Sequence, residues 1–448
     1  MSHPAAGPSI ALTPVVPVDR GVSTYTRFAG FFEPHEYTDW VDESLSWKNS
    51  CYIGDWSPLA KFHLKGPDAL KLFSDISVNS FSRHEIGQAK HLSLCNGLGK
   101  LMGEGILMRL AEDEFLFTSG PGVPWVTYMH EKGGYRASAT QIGMSQFITQ
   151  VQGPQSLYLL EQVTGDNLRD IDFMRFRKSR IGAMEFLVLR QGMAGELGYE
   201  LHGSSEHGLA IYQALLDAGR EFGIRRLGGR TKMVNHVEAC YPTPSVDYIP
   251  ALYSSDQKAY FDWCGTRFRS MVNARPSTAG SFVFDDLAAL YRSPVELGWE
   301  KNIKFDHDFV GRSALEEEVA HPRRKMVTLV WDSEDVIDVF ASLFRSGEPF
   351  APMEMPRDLL GRMWVDDVLR DGKSIGASTS RCYSHFFRQM LSLCTIDVSF
   401  SEPGTEVTVV WGAPSGPQKQ VRATVARAPY KRDNRRIDVA KLPARPAR

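Results

Sequence analysis

The chain has 448 residues, 43% of them hydrophobic and 23% charged. That is an ordinary globular composition, but too long for one core, so two or three domains are expected. A formal net charge of -2 offers no basic surplus for nucleic acid and no single-sign field for a membrane surface. No apolar run is long enough to span a bilayer.

In chain order, residues 1–22 carry Pro4, Pro8, Pro14 and Pro17 and read as an extended arm rather than a signal peptide. One phrase then occurs twice: KFHLKGPDALKLFSDI at 61–76 and ITQVQGPQSLYLLEQV at 148–163. Each reads as strand, Gly-Pro turn and amphipathic helix, with Pro67 and Pro154 at the first helical position. Strand signals lie between the copies at His91–Leu94, Ile106–Leu110 and Glu114–Thr118. A hairpin follows, Met184–Arg190 against Leu197–Leu201 around Gly192 and Gly195, and then a helix over Glu206–Phe222. These elements predict an α+β body of two related lobes over residues 23–320. Lys325–Trp331, Arg362–Asp367, Leu391–Val398 and Glu406–Trp411 are strands separated by turn residues. They predict a small β-barrel domain over 322–430. Residues 431–448 read as a solvated basic tail. The six cysteines form no Cys-x-x-Cys pair and read as buried small hydrophobes in a reducing, cytoplasmic setting, with no metal site.

Residues 190–200, Arg-Gln-Gly-Met-Ala-Gly-Glu-Leu-Gly-Tyr-Glu, resemble a signature of the glycine-cleavage aminomethyltransferase (T-protein) family, with Met193-Ala194 where the family has a tyrosine–threonine pair. Gln152-Gly153-Pro154, Phe309–Leu315 and Gly376–Ser380 with Tyr383-Ser384 resemble further family segments in the same order. Trp47–Cys51, Ile303–Phe309 and Gly404–Gly412 are similar to the bacterial tetrahydrofolate-dependent aryl O-demethylases of the vanillate and syringate type, and to the tetrahydrofolate-dependent enzyme that opens sesamin. The resemblance implies an aminomethyltransferase-type folate-binding body, with the pterin held by Glu200 and Gln150 and Tyr241 nearby. It implies no metal and no second cofactor, and a small aromatic substrate. Monomer and homo-oligomer both stay open.

The chemistry suits those residue types. A carboxylate matches the two parallel donors of a reduced pterin edge, and an amide offers donor and acceptor to a heterocycle. Gln150 and Gln152 alternate on one strand and share a face. Glu196 and Glu200, four apart, would share a face in an unbroken strand. Gln152, Glu196 and Arg230 therefore join Glu200, Gln150 and Tyr241 as expected cofactor contacts.

Departures from the family carry information too. A catalytic tyrosine of the vanillate-type enzymes is matched by Lys232, after Gly228-Gly229-Arg230-Thr231. The T-protein's aspartate pair falls at Gly103-Glu104, which argues against glycine cleavage. The histidine and arginine that hold an aromatic carboxylate fall near Pro58 and Gly120. A buried carboxylate without a cation is costly, so a neutral aryl ether is expected, a methylenedioxy lignan or a methoxyarene. Phe28, Trp56 and Trp125 are expected to line its pocket, with Phe31 close by. Lys232, His236, Tyr241 and Glu104 are the candidates for protonating the leaving oxygen. A carboxylated methoxyarene demethylase and a non-catalytic folate-binding protein are the alternatives.

Overall fold

The two Gly-Pro turns place the two halves of the body. In the computed structural model, which describes residues 11–268, 276–356 and 362–444, the strand Ala60–Lys65 leads into the helix Ala69–Ile76, and Gln146–Gln152 into Ser156–Thr164. The prolines sit two residues before the first helical position. Ala69 N–H donates to Gly66 O and Ser156 N–H to Gly153 O, so Pro67 and Pro154 occupy the second position of a turn, which their fixed φ suits. Both glycines are required. Gly66 has φ +147° and Gly153 φ +131°, and a Cβ would come within 2.6 Å of Arg136 O and 2.5 Å of Ser50 O, respectively.

Each turn belongs to its own sheet. One sheet runs in the order Ala89–Cys95, Leu101–Ala111, Glu114–Ser119, Ala60–Lys65, Ser138–Gln141. The other runs Phe176–Ile181, Met184–Leu189, Gly198–Ser204, Gln146–Gln152, Tyr52–Asp55, Arg225–Arg226. The expected hairpin forms, with Leu189 opposite Glu200 and Glu200 in turn opposite Gln150 on the next strand. The C-terminal part is a closed barrel of Arg324–Trp331, Gln389–Asp397, Lys373–Ser384, Asp366–Arg370, Glu406–Trp411 and Lys419–Ala426. Closure leaves no open edge.

Three elements near or in the barrel lie outside the strands read from sequence. Lys373–Ser384 is polar yet buried over most of its length, because its outer side meets the helix Lys232–Ala239. Lys419–Ala426 alternates exposed and buried residues, and a helix spans Ser333–Ser342 behind an Asp332 cap.

Neither terminal segment is free where it is described. Val15 is fully buried in the core of the second lobe, while residues 1–10 of the expected arm lie outside the described residues. The expected solvated tail is instead a strap. Lys431 and Val439 are buried, and Arg190 donates to the carbonyls of Arg435 and Ile437. Lys431 donates to Gly195 O and pairs with Glu196, and Arg435 donates to Gly192 O, which explains why a basic segment is held against the 190–197 loop rather than solvated. Residues 445–448 lie outside the described set. No helix among the described residues is long and apolar enough to cross a membrane.

Candidate functional site

The helix Lys232–Ala239 is the element that brings the site together. The turn before it is pressed against the N-terminal hairpin, where a Cβ on Gly228 would lie 2.4 Å from His35 O and one on Gly229 2.3 Å from Thr26 Cγ2. The buried Glu43 carboxylate secures the turn by accepting from Gly228 N–H and the Thr231 hydroxyl, both at 2.7 Å. This close approach sets Lys232 Nζ 2.6 Å from Glu33 Oε2, 3.9 Å from the Phe28 ring centre and 4.8 Å from that of Trp56. Lys232 is only 2% exposed. It is a buried cation with one carboxylate partner and two aromatic faces, not a surface lysine.

Lys232, Phe28, Trp56, His236, Tyr241, Glu104 and Glu200 all line one cavity of about 310 Å³. Gly120 lines it as well, without a charge, and Arg27 lies at its wall. A second chamber of about 790 Å³ shares Ile106, Gln191 and Tyr241 with the first. Its walls carry Lys90, Lys301, Lys304, Lys325, Arg435 and Arg436.

Glu200 lines the first cavity and is hydrogen-bonded to Gln191, which lines both. The Glu200 Oε1 accepts from Gln150 Nε2 at 3.0 Å and from Gln191 Nε2, and His202 Nε2 lies 3.2 Å from Oε2. The Tyr52 hydroxyl donates to Gln150 Oε1, which orients the amide so that its N–H faces Glu200. Burial, and then the Glu200 charge, push the Tyr52 phenol well above its ordinary range, so it stays a donor. Glu104 accepts from His91 Nε2 at 2.8 Å. Burial is also the main reason the Tyr241 phenol is raised, with Glu104 next.

Five expected contacts lie elsewhere. Gln150 is fully buried and lines neither space, so it acts on Glu200 from behind and not on a ligand. Gln152 does share a face with Gln150, but its amide is used up locally. Its Oε1 accepts from Met193 and Ala194 N–H, both at 3.0 Å, while Nε2 donates to Glu196 O at 2.8 Å. It clamps the loop that Gly192 and Gly198 leave room for. A Cβ on Gly192 would lie 2.1 Å from Gln152 Nε2 and one on Gly198 2.7 Å from its Cγ. The strand begins at Gly198, so Glu196 does not share the face of Glu200; it binds Lys431 and Asn434 of the strap. Arg230 pairs with Glu36 at 2.6 Å and donates to Met355 O. Trp125 is 3% exposed and packs edge-on against Tyr260 at 4.9 Å, in the first lobe's core. Phe31 does not line the cavity either.

Sequence reasoning missed Gln191, Glu33 and the basic chamber. Gln191 lay inside the 190–200 motif and carried a signal. Glu33 carried none, and the chamber's cations are scattered from Lys90 to Arg436.

A family model described as the GCVT N-terminal domain matches residues 19–254. The chain is 36% identical to a sesamin methylene transferase of Sinomonas sp., over 93% of this chain and 94% of the relative. It is 31% identical to a syringate O-demethylase of Sphingobium sp., over 89% of each. Among solved structures, the glycine cleavage system aminomethyltransferase T from Bartonella henselae matches with a TM-score of 0.68 at 18% identity, covering 92% of this chain and 95% of that one. That likeness shows the fold, a mixed α+β body with a closed C-terminal barrel.

Proposed function

The chain belongs to the family of the GCVT N-terminal domain, and from that we propose that it is a tetrahydrofolate-dependent one-carbon transferase. It takes a methyl or methylene carbon from a neutral aryl ether and leaves a phenol or catechol. The observation that carries this reading is Glu200, a carboxylate 5% exposed and oriented by buried amides, in a mostly apolar cavity that shares Gln191 and Tyr241 with a chamber rich in lysine and arginine. A reduced pterin fits there, since its parallel N–H groups match a carboxylate, and the chamber's lysines and arginines suit the acidic end of the same molecule. Glu200 holds the ring, with Gln150 orienting its carboxylate from behind; Gln191 and Tyr241 border the ring, and Phe28 and Trp56 face the aryl group.

Tetrahydrofolate supplies the nucleophilic nitrogen that accepts the carbon, and the proton which that nitrogen releases balances the one the leaving oxygen takes up. The chain's own contribution is positioning and protonation. Lys232 is the cation in the cavity that can give a proton to the phenolate as the C–O bond breaks, with Glu33 and the aromatic faces holding its ammonium in place. General acids of this kind contribute about 10²–10⁴-fold, and alignment of the reacting atoms contributes a comparable or larger factor. The relatives' names cover both a methylenedioxy and a methoxy donor. Arg27 at the cavity wall favours one second reading, in which it pairs with the carboxylate of a syringate-type substrate.

Incubation with tetrahydrofolate and a panel of aryl ethers, followed by mass spectrometry of the folate, tests the proposal. Methyl-tetrahydrofolate marks demethylation and methylene-tetrahydrofolate marks ring opening. A panel in which only carboxylated ethers react selects the second reading. No substituted folate from any aryl ether refutes both.

A further inference from the structure

His236 lies one helical turn after Lys232, lines the same cavity and is 5% exposed. Its Nδ1 is 2.8 Å from Thr243 Oγ1, and that hydroxyl is 3.1 Å from Tyr241 O. A threonine hydroxyl has one hydrogen. With that hydrogen donated to the Tyr241 carbonyl, Thr243 is an acceptor toward the ring, so the ring hydrogen sits on Nδ1 and Nε2 carries a lone pair. Nε2 is buried and has no hydrogen-bond partner. Burial, and then the Lys232 charge, lower the ring's pKa to about 3, so the imidazole is uncharged under ordinary conditions. His236 thus holds a neutral, unpartnered acceptor in the cavity wall, one helical turn from the cation assigned to the leaving oxygen. A buried acceptor left without a donor weakens a complex by about tenfold.

We propose that His236 determines specificity by accepting a hydrogen bond from a phenolic hydroxyl of the substrate, so that the preferred donors are neutral methoxyphenols with the hydroxyl beside the ether. The inference rests on the aryl-ether reading above and narrows its substrate class. Residues four apart on a helix face the same stretch of surface, so Lys232 and His236 address neighbouring oxygens on one ring. Dimethoxyarenes and methylenedioxyarenes carry only acceptor oxygens there. A methylenedioxyarene meets Nε2 with a donor only after its first C–O bond has opened, so it reacts from a weaker complex.

The test uses the full chain with tetrahydrofolate and two compounds that differ in one group, guaiacol and its O-methylated form veratrole. Rates of methyl-tetrahydrofolate formation and calorimetric affinities are measured for each. The parent is expected to favour guaiacol about tenfold in kcat/KM, chiefly through KM. His236→Leu is expected to bring that ratio to about one. His236→Gln, whose amide oxygen can replace Nε2 as acceptor, is expected to restore most of it. A ratio near one in the parent, or an unchanged ratio in His236→Leu, overturns the inference. Should His236→Leu not fold, the parent ratio and the glutamine variant decide. If neither ether yields a substituted folate, the transfer reading fails for these ethers, and the ratio of calorimetric affinities still tests His236 alone.

Discussion

Changing Glu200 to glutamine separates the charge of this side chain from its shape. The carboxylate accepts from Gln150 Nε2 and Gln191 Nε2 on one oxygen and faces His202 Nε2 with the other. Hydrogen bonds to a charged acceptor are worth about 1.5–3 kcal/mol, against about 1 kcal/mol for neutral pairs. The loss of charge at the two amide donors therefore lowers stability by about 1–3 kcal/mol, visible as a lower denaturant midpoint. The proposed pair of pterin N–H donors loses a similar amount, and the glutamine NH₂ faces one of them with a donor. Together these effects weaken tetrahydrofolate binding by about 2–3 kcal/mol, or about 30- to 150-fold in Kd. Isothermal titration calorimetry of folded parent and Glu200→Gln under anaerobic conditions reads this directly. A variant that is folded and binds tetrahydrofolate within about threefold of the parent would refute the pterin assignment.

Lys232→Met is expected to lower kcat by about 10²–10⁴-fold and leave calorimetric tetrahydrofolate affinity near the parent value, whereas an equal loss of both would make Lys232 a folate contact. His84 is buried, with its pKa lowered from 6.5 to about 4, mainly by burial. The unfolded chain therefore takes up its proton first, so this contribution to stability is present above about pH 6.5 and is lost as pH falls toward about 4. The urea midpoint of the parent should drop between about pH 7 and about pH 5 by more than that of His84→Gln. Gly153→Ala should cost about 2 kcal/mol or more in chemical denaturation, because its Cβ would meet Ser50 O. Gly165→Ala, at φ +72° with open space around the new Cβ, should cost about 1 kcal/mol; equal losses would discount the steric account.

What could be read in the sequence was what short-range chemistry determines. Glycine–proline punctuation announced both turns, because proline's φ and glycine's missing Cβ act within a few residues. Period-two alternation placed Gln150 on a strand, and the glycine-rich hairpin put Glu200 on its partner. Long-range pairing was out of reach. Glu33 meets Lys232 across 199 positions, and nothing local to either announces the other. The same periodicity misled at Gln152, which shares the face of Gln150 while loop N–H groups some forty residues away consume its amide. Trp125 looked like a pocket wall because an aromatic side chain has the same signature in a core as in a site. Lys373–Ser384 was not among the strands read from sequence because serine and glycine blur the strand pattern, yet the helix Lys232–Ala239 covers it and requires it to be buried.

The strap has a consequence for biogenesis. The loop that leads into Glu200 is braced from outside by Lys431 and Asn434, and Asn434 reaches Glu196 across 238 positions of chain. During synthesis at about 5–20 residues per second, the first lobes emerge and close their own sheets well before that brace exists. The nascent chain must therefore carry an unfinished cofactor cradle while the barrel is being made. A ligand that binds beside Glu200, as proposed for tetrahydrofolate, stabilises the finished protein by mass action and so acts late, after the strap has docked, and not as a template for early folding.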